Sequence, residues 1–412
     1  MYKKNNYCRY CGSKNIVQYL SLGEHPPSNS FLTVDKVSDE VRYPLDVYFC
    51  EDCFLSQLVD VVSPEIIFHE YVYLSSASKI LCMHFEELVR LVSERFNLKK
   101  GETVVDIGCN DGVLLQAYDT KDINIIGVEP SKVAKIAKQK GFKVIKKFFG
   151  PETAKEIVSA YGKAKIITAT NVFVHVDDMR NFVQGFSDLI AKDGVIIIEA
   201  SYLLDVIDSI LFDTIYHEHL CYLSLTPLFK FIDQFGLEIF DFERQSVGAS
   251  GPAMRIYLQK KKGIYPIEEI VNKTLIMEKE WGIGKLETYQ NYAQRVEIIK
   301  EDVLTLIHEK KNQGETIGAF GASAKGNTLL NYFDLSVGEI SYVAENNEKK
   351  IGLITPGSHI PIISDEEFIK RMPDYALLLS WNYLDYFLEN SKYIKKGGKF
   401  IIPLPSTEIR PI

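Results

Sequence analysis

The chain reads as an α/β protein whose sheets are mostly parallel, preceded by a small metal-stapled module. Three observations predict this. Strand-like apolar runs alternate with helical stretches through the middle and the end of the chain. Two glycine-bearing loops, one through Gly108 and Gly112 and one through Gly318, Gly321 and Gly326, each follow such a run and open a helix. Two Cys-x-x-Cys pairs stand near the start. At 412 residues the chain exceeds what one hydrophobic core organises, so two or three domains are expected.

Composition narrows the classes. A hydrophobic share of 46% with 25% charged residues is that of an ordinary globular protein. A net charge of -8 argues against nucleic acid as a partner, because a phosphate backbone is held by clustered Lys and Arg. The basic stretch from Lys132 to Lys147 reads as the solvated face of a helix. No run of 18 apolar residues and no signal peptide is found, so no membrane partner and a cytoplasmic location are expected.

The first segment, residues 1–75, carries Cys8-x-x-Cys11 and Cys50-x-x-Cys53 with short strands in LDVYFCEDC and LSQLVDVV and a loop at HPPSNS, 25–30. Four thiolates on two tight turns suit tetrahedral zinc, and with all four positions taken by sulfur the metal is structural. Disulfides are the competing reading, disfavoured in a reducing compartment. Cys82, Cys109 and Cys221 read as small core or pocket residues.

The second segment, 76–262, opens its sheet with VVDIGCNDG. Its loop fits the dinucleotide fingerprint poorly, because Asp106, Asn110 and Asp111 stand among Gly108 and Gly112. Acidic groups would repel a pyrophosphate but suit the ammonium and sulfonium of S-adenosylmethionine. The next run, INIIGVEPS, ends at Glu129, where a carboxylate would accept ribose hydroxyls. Acids at both strand ends are the class I methyltransferase pattern; an ordinary βα turn is the bland alternative. The runs KVIK, KIITATNVF and GVIIIEA continue a parallel sheet, and LEIFDFE with AMRIYLQ would supply an antiparallel edge.

The third segment, 263–412, begins with helical periodicity from Ile267 to about Lys311 and then starts a second Rossmann-like unit at TIGAFGASAKGNTLLNYF, with further strands in ISYVAEN, YALLLSW and GKFIIPLP. Its glycine loop carries Ser323, Lys325, Asn327 and Thr328 beside Gly321, so it should bind a diphosphate, although it is not a P-loop. A packing-only loop is the alternative.

The candidate catalytic cluster is DTIYHEHLCYLSL, 213–225, with Tyr216, His217, Glu218 and His219 side by side. Such side chains are costly to bury together and make poor core, which favours function. The histidines at i and i+2 exclude a zincin motif. His175, just past the strand of TATNVFVHV, stands where the crevice of an open α/β sheet is lined.

Together the four cysteines, IGCNDG, NVFVHV, YHEHLCYLS, GAFGASAKGNTLLN and PGSHIPI resemble the C-methyltransferases of nucleotide deoxysugar biosynthesis, over nearly the whole chain. The resemblance implies a class I methyltransferase Rossmann-like domain flanked by a small zinc-binding domain and a second Rossmann-like domain. It implies zinc at the four cysteines, S-adenosylmethionine in the middle domain, with Phe148 and Asn171 added to its site, and a nucleotide-diphosphate 4-ketosugar held with help from the C-terminal domain. It places Tyr216, Glu218 and His219 in the active site, with His175 and either Tyr71 or Tyr73 nearby. The chain departs from the family where HGGSLRVY is usual and VGASGPAMRIY stands here, 247–257. The mechanism expected is removal of the proton alpha to the C4 ketone by His219, a hydrogen bond from Tyr216 or His175 to the enolate oxygen, and Glu218 orienting a histidine, with methylation at C3. The alternatives are O- or N-methylation of the same nucleotide sugars, or a zinc-stapled binding protein with relic loops.

Overall fold

The computed structural model describes residues 2–67, 74–118, 122–245 and 252–411. Tyr71 and Tyr73, and residues 247–251 of the divergent VGASGPAMRIY stretch, lie outside the described residues.

The middle unit is a seven-stranded sheet with spatial order Leu237–Gln245, Ala253–Lys260, Ile190–Ser201, Ala164–Thr170, Thr103–Ile107, Asn124–Val128, Lys143–Ile145. Five strands run parallel, and Ala253–Lys260 is antiparallel to its neighbours on both sides, as the two late runs suggested. All five residues of Thr103–Ile107 are buried, the continuous apolar pattern of a strand covered on both faces.

The C-terminal unit is a six-stranded sheet ordered Ile362–Ser364, Val343–Glu345, Ile317–Phe320, Tyr375–Leu378, Lys399–Ile402, Glu408–Arg410, parallel except for the last strand. Its two edge strands went unread in the sequence; each is three residues long, too short for an alternating pattern to register. The helical stretch before it is two helices, Glu269–Trp281 and Leu286–Asn312, interrupted at Gly282 with φ of +100°. That backbone conformation ends a helix and favours glycine.

The N-terminal module is an antiparallel sheet of Ile16–His25, Tyr43–Cys50 and Ser56–Leu58, completed by Cys221–Tyr222 from the middle unit. The segment that carries the candidate catalytic cluster therefore contributes a strand to the cysteine module's own sheet. Leu58 N–H also donates to the Leu220 carbonyl, which fixes the register of that segment one residue after His219. Among the described residues no helix is long and apolar enough to cross a membrane.

Candidate active site

In both parallel sheets the strand order reverses between the first strand and its neighbour on the other side: Thr103–Ile107 beside Ala164–Thr170, and Ile317–Phe320 beside Tyr375–Leu378. Ligands of open α/β sheets sit beyond the strand ends at such switch points. A cavity of about 820 Å³ occupies this place, with walls from all three units.

Its cofactor end carries Asp106, Gly108, Asn110, Glu129, Phe148 and Asn171. Gly108 has φ of +72°, and a Cβ there would lie 2.1 Å from Val172 Cγ2, so only glycine fits. The Glu129 carboxylate is held by the N–H groups of Asn110 at 3.1 Å and Ser131 at 2.8 Å, which fixes it on the cavity wall with acceptor capacity left for a ligand. Burial pushes the Asp106 carboxyl up to about 7, against a 2.7 Å hydrogen bond from the Thr168 hydroxyl and with nearby Glu129 adding to the rise. This donor set matches the acid-lined outline expected for S-adenosylmethionine. Two expected members do not line the cavity. Asp111 is buried against Lys140 at 3.3 Å, and Gly112, with φ of +83°, closes the turn where a Cβ would meet Ala137 at 3.1 Å.

The end that carries the candidate catalytic residues is built by the turn following Phe212–Thr214. Tyr216, Glu218, His219 and His175 all line the cavity. The Tyr216 and His219 rings are 4.1 Å apart, and His175 meets His219 edge-on at 5.1 Å. His219 Nδ1–H donates to the Thr214 carbonyl at 2.7 Å, which leaves Nε2 as the acceptor nitrogen. Burial lowers His219 to about 4, opposed by that bond and assisted by nearby Lys325; burial, with help from His219, lowers His175 to about 3. Both imidazoles are therefore neutral at neutral pH.

Glu218 behaves differently from expectation. It accepts a 2.6 Å hydrogen bond from Asn29 Nδ2 of the cysteine module rather than orienting a histidine, and burial raises it to about 7. His217 turns away and bonds the Pro44 carbonyl at 3.2 Å, a structural contact.

At the third wall, Ser323 and Lys325 line the cavity. Lys325 lies 3.4 Å from Asp213, which also accepts a 2.8 Å bond from Trp381 Nε1, so the C-terminal loop is tied to the segment leading into the 216–219 turn. The other expected substrate contacts face inward. Gly321 approaches Ser380, where a Cβ would lie 2.3 Å from Oγ; Asn327 donates to the Ser28 carbonyl at 2.7 Å; Thr328 donates to the Ile215 carbonyl at 3.2 Å. Gly321 packs within its own unit, and Asn327 and Thr328 hold the loop against the other two units instead of reaching the cavity.

Sequence reasoning missed Lys350 and Asn29, which also line the cavity. Lys350 donates to the Ala322 carbonyl at 2.6 Å and lies 3.6 Å from Glu345; burial holds its ammonium below the ordinary lysine value despite that carboxylate. Neither residue sits in a motif, and only the tertiary fold brings them to the wall.

Apart from the cavity, the sulfurs of Cys8, Cys11, Cys50 and Cys53 all lie within 4.8 Å of one another, with Cys8 to Cys53 at 3.4 Å and Cys11 to Cys50 at 3.6 Å. Zn–S bonds of about 2.3 Å in a tetrahedron set sulfurs about 3.8 Å apart, whereas a disulfide needs about 2.05 Å. The set fits zinc in a closed, structural site.

Family models and known relatives match the chain over the same three units. A zinc binding domain family matches residues 8–68, a methyltransferase domain family matches 83–241, and a C-methyltransferase C-terminal domain family matches 248–405. The C-methyltransferase NovU of Streptomyces niveus is 32% identical over 98% of this chain and 96% of its own. The ubiquinone biosynthesis O-methyltransferase of Methylobacterium sp. strain 4-46 is 34% identical over 20% of this chain and 34% of its own. Among solved structures, an S-adenosylmethionine-dependent methyltransferase of Clostridium acetobutylicum is similar over 48% of this chain and 95% of its own, at 14% identity and a TM-score of 0.34. The match to NovU runs through all three units, so the chain belongs to the family of S-adenosylmethionine-dependent C-methyltransferases with a zinc-binding N-terminal domain.

Proposed function

We propose that this C-methyltransferase methylates a nucleotide-linked 4-keto-deoxysugar, at C3, through an enolate formed by a base of the 216–219 turn. The observation that carries the reading is that one cavity joins three chemistries: the acidic cofactor loop, a neutral imidazole pair beside a tyrosine, and a lysine-bearing loop of the C-terminal unit. Residues 76–262 carry the cofactor in this reading, and 263–412 hold the nucleotide diphosphate through Ser323 and Lys325.

Bound S-adenosylmethionine supplies an activated methyl group, so the protein's task is to make the sugar carbon nucleophilic. The carbon alpha to a ketone becomes so when its proton is taken and the developing oxygen charge is met by a donor. His219 takes the proton at Nε2, while its Nδ1–H stays on the Thr214 carbonyl. Tyr216 or His175 donates to the enolate oxygen; a neutral histidine can do this without losing its proton. Lys325 meets the diphosphate, exchanging part of its contact with Asp213 for the ligand's charge.

A second assignment of the base rests on one observation. Glu218, raised to about 7, matches a neutral operating pH better than an imidazole lowered to about 4. With Glu218 as base, kcat/KM rises with pH through about 7; with His219 it is already level there.

Incubation with methyl-labelled S-adenosylmethionine and a panel of TDP-, GDP- and CDP-4-keto-6-deoxysugars tests the substrate class. Nuclear magnetic resonance of the product should show the label on a ring carbon beside the ketone. A methoxyl or N-methyl signal, or no turnover across the panel, would overturn the reading.

A further inference from the structure

We infer that Asn29 of the zinc-binding module is a positioning residue for methyl transfer, holding the Glu218 carboxylate as an acceptor on the cavity wall. The inference rests on the reading of Glu218 as part of the active site.

Asn29 belongs to the HPPSNS loop, which follows strand Ile16–His25 and has no place in the cofactor or metal chemistry. The loop is pinned on several sides. His25 Nε2 bonds the Leu22 carbonyl at 2.8 Å at its base. The Ser28 carbonyl accepts from Asn327 of the C-terminal unit at 2.7 Å, and Leu32 pairs with Ile354 beyond it. Asn29 itself lines the cavity and donates to Glu218 Oε1 at 2.6 Å.

The other partner is fixed by the same module. The residues following Glu218 enter that module's sheet, with Cys221 and Tyr222 paired to Gln57 and Ser56. Donor and acceptor are therefore held in one frame although 189 residues separate them. Such rigidity makes a short hydrogen bond a positioning device rather than a passing contact.

An amide N–H favours the ionised carboxylate over the neutral acid, because it stabilises the charged acceptor. On Glu218 it opposes the upward push of burial. The cavity that Glu218 lines also carries the titratable side chains of Tyr216, His219 and His175, the cations Lys3, Lys325 and Lys350, and the carboxylates of Glu65, Asp106, Glu129, Asp177 and Asp178, with Tyr2, Tyr383 and Cys109. Loss of the Asn29 donor should leave the carboxyl protonated over a wider pH range.

Infrared difference titration of the full-length zinc-loaded protein, in the absence of sugar substrate, reads this directly. Glu218→Gln identifies the Glu218 carboxylic-acid band by removing it. In the unsubstituted protein that band should titrate near pH 7, and in Asn29→Ala its midpoint should rise by about one unit, a tenfold change in proton affinity. Asn29→Ser, which keeps a hydroxyl donor, should lie between and serves as the second variant if the alanine form does not fold; binding of S-adenosylhomocysteine reports folding in each. An unchanged midpoint in Asn29→Ala, or no titrating band lost in Glu218→Gln, overturns the proposal. If the midpoint shifts but Glu218→Gln methylates a 4-ketosugar at the unsubstituted rate, the pair is real and it is the active-site reading of Glu218 that fails.

Discussion

Within the cluster Tyr216, His217, Glu218 and His219, single hydrogen bonds set how His217, Glu218 and His219 are held. Adjacent residues on a tight turn point in different directions, so His217 ends on Pro44 while Tyr216, Glu218 and His219 reach the cavity. The sequence made the cluster legible because four such side chains are poor core material, yet it could not rank them. Their partners, Asn29, Pro44 and the Thr214 carbonyl, are set by the tertiary fold or by backbone atoms that carry no side-chain signal. Lys350 was invisible for the same reason. Tyr216 is expected to contribute electrostatically: Tyr216→Phe should lower kcat by about 10²–10³ with little change in S-adenosylmethionine affinity, measured by steady-state kinetics and calorimetry. An unchanged kcat would transfer the donor role to His175.

Helices and strands place those residues by being capped and paired across unit boundaries. Glu278, fully buried on helix Glu269–Trp281, accepts from the N–H groups of Leu225 and Thr226, both at 2.7 Å, and from the Tyr202 hydroxyl at 2.8 Å. It thus satisfies the open N-terminus of helix Leu225–Asp233, which follows the 216–219 turn and strand Cys221–Tyr222. Glu278→Ala leaves these donors buried without an acceptor and should cost about 3 kcal/mol or more in urea unfolding, while Glu278→Gln should recover part of the loss. Apart from the two three-residue edge strands of the C-terminal sheet, the strand runs of both sheets were legible from their apolar content. Cys221–Tyr222 was not, because a two-residue strand is created by its partner, Ser56–Leu58, rather than by its own pattern.

Across the whole molecule, zinc and chemistry are linked through the cysteine module's sheet. None of the four cysteines lines the cavity, yet the module supplies Asn29 and the partner strand of Cys221–Tyr222, just past the 216–219 turn. Stripping zinc with a chelator, or Cys50→Ser, should therefore abolish turnover in proportion to metal lost and lower the thermal midpoint. Activity that survives full zinc removal would make the module dispensable.

Acid should destabilise the fold. His25, His175, His217 and His219 are lowered by burial to about 4, 3, 4 and 4, so unfolding takes up protons below the unfolded value of about 6.5. Asp106 and Glu218, raised to about 7, act in the opposite sense, since each gains stability as pH falls toward its unfolded value. Four groups against two leave a net loss, and the urea midpoint should fall between pH 6.5 and 5. A midpoint that rises over this interval would show that the histidines are not buried neutral.

The three-part architecture was legible because each part has a local signature: cysteine spacing, acids at strand ends, a second glycine loop. That the three share one cavity was not, since it follows from how the units pack.

In the proposed mechanism a base of the 216–219 turn makes an enolate before the methyl group moves. The direct test is exchange of the sugar proton alpha to the ketone in deuterated water, using a TDP-4-keto-6-deoxysugar with S-adenosylhomocysteine in place of the methyl donor, for the unsubstituted protein and for His219→Ala. Deuterium entering beside the ketone in the first and not in the second is the predicted result. Methyl transfer to the sugar by a protein that catalyses no exchange, or exchange undiminished in both His219→Ala and Glu218→Gln, would contradict it.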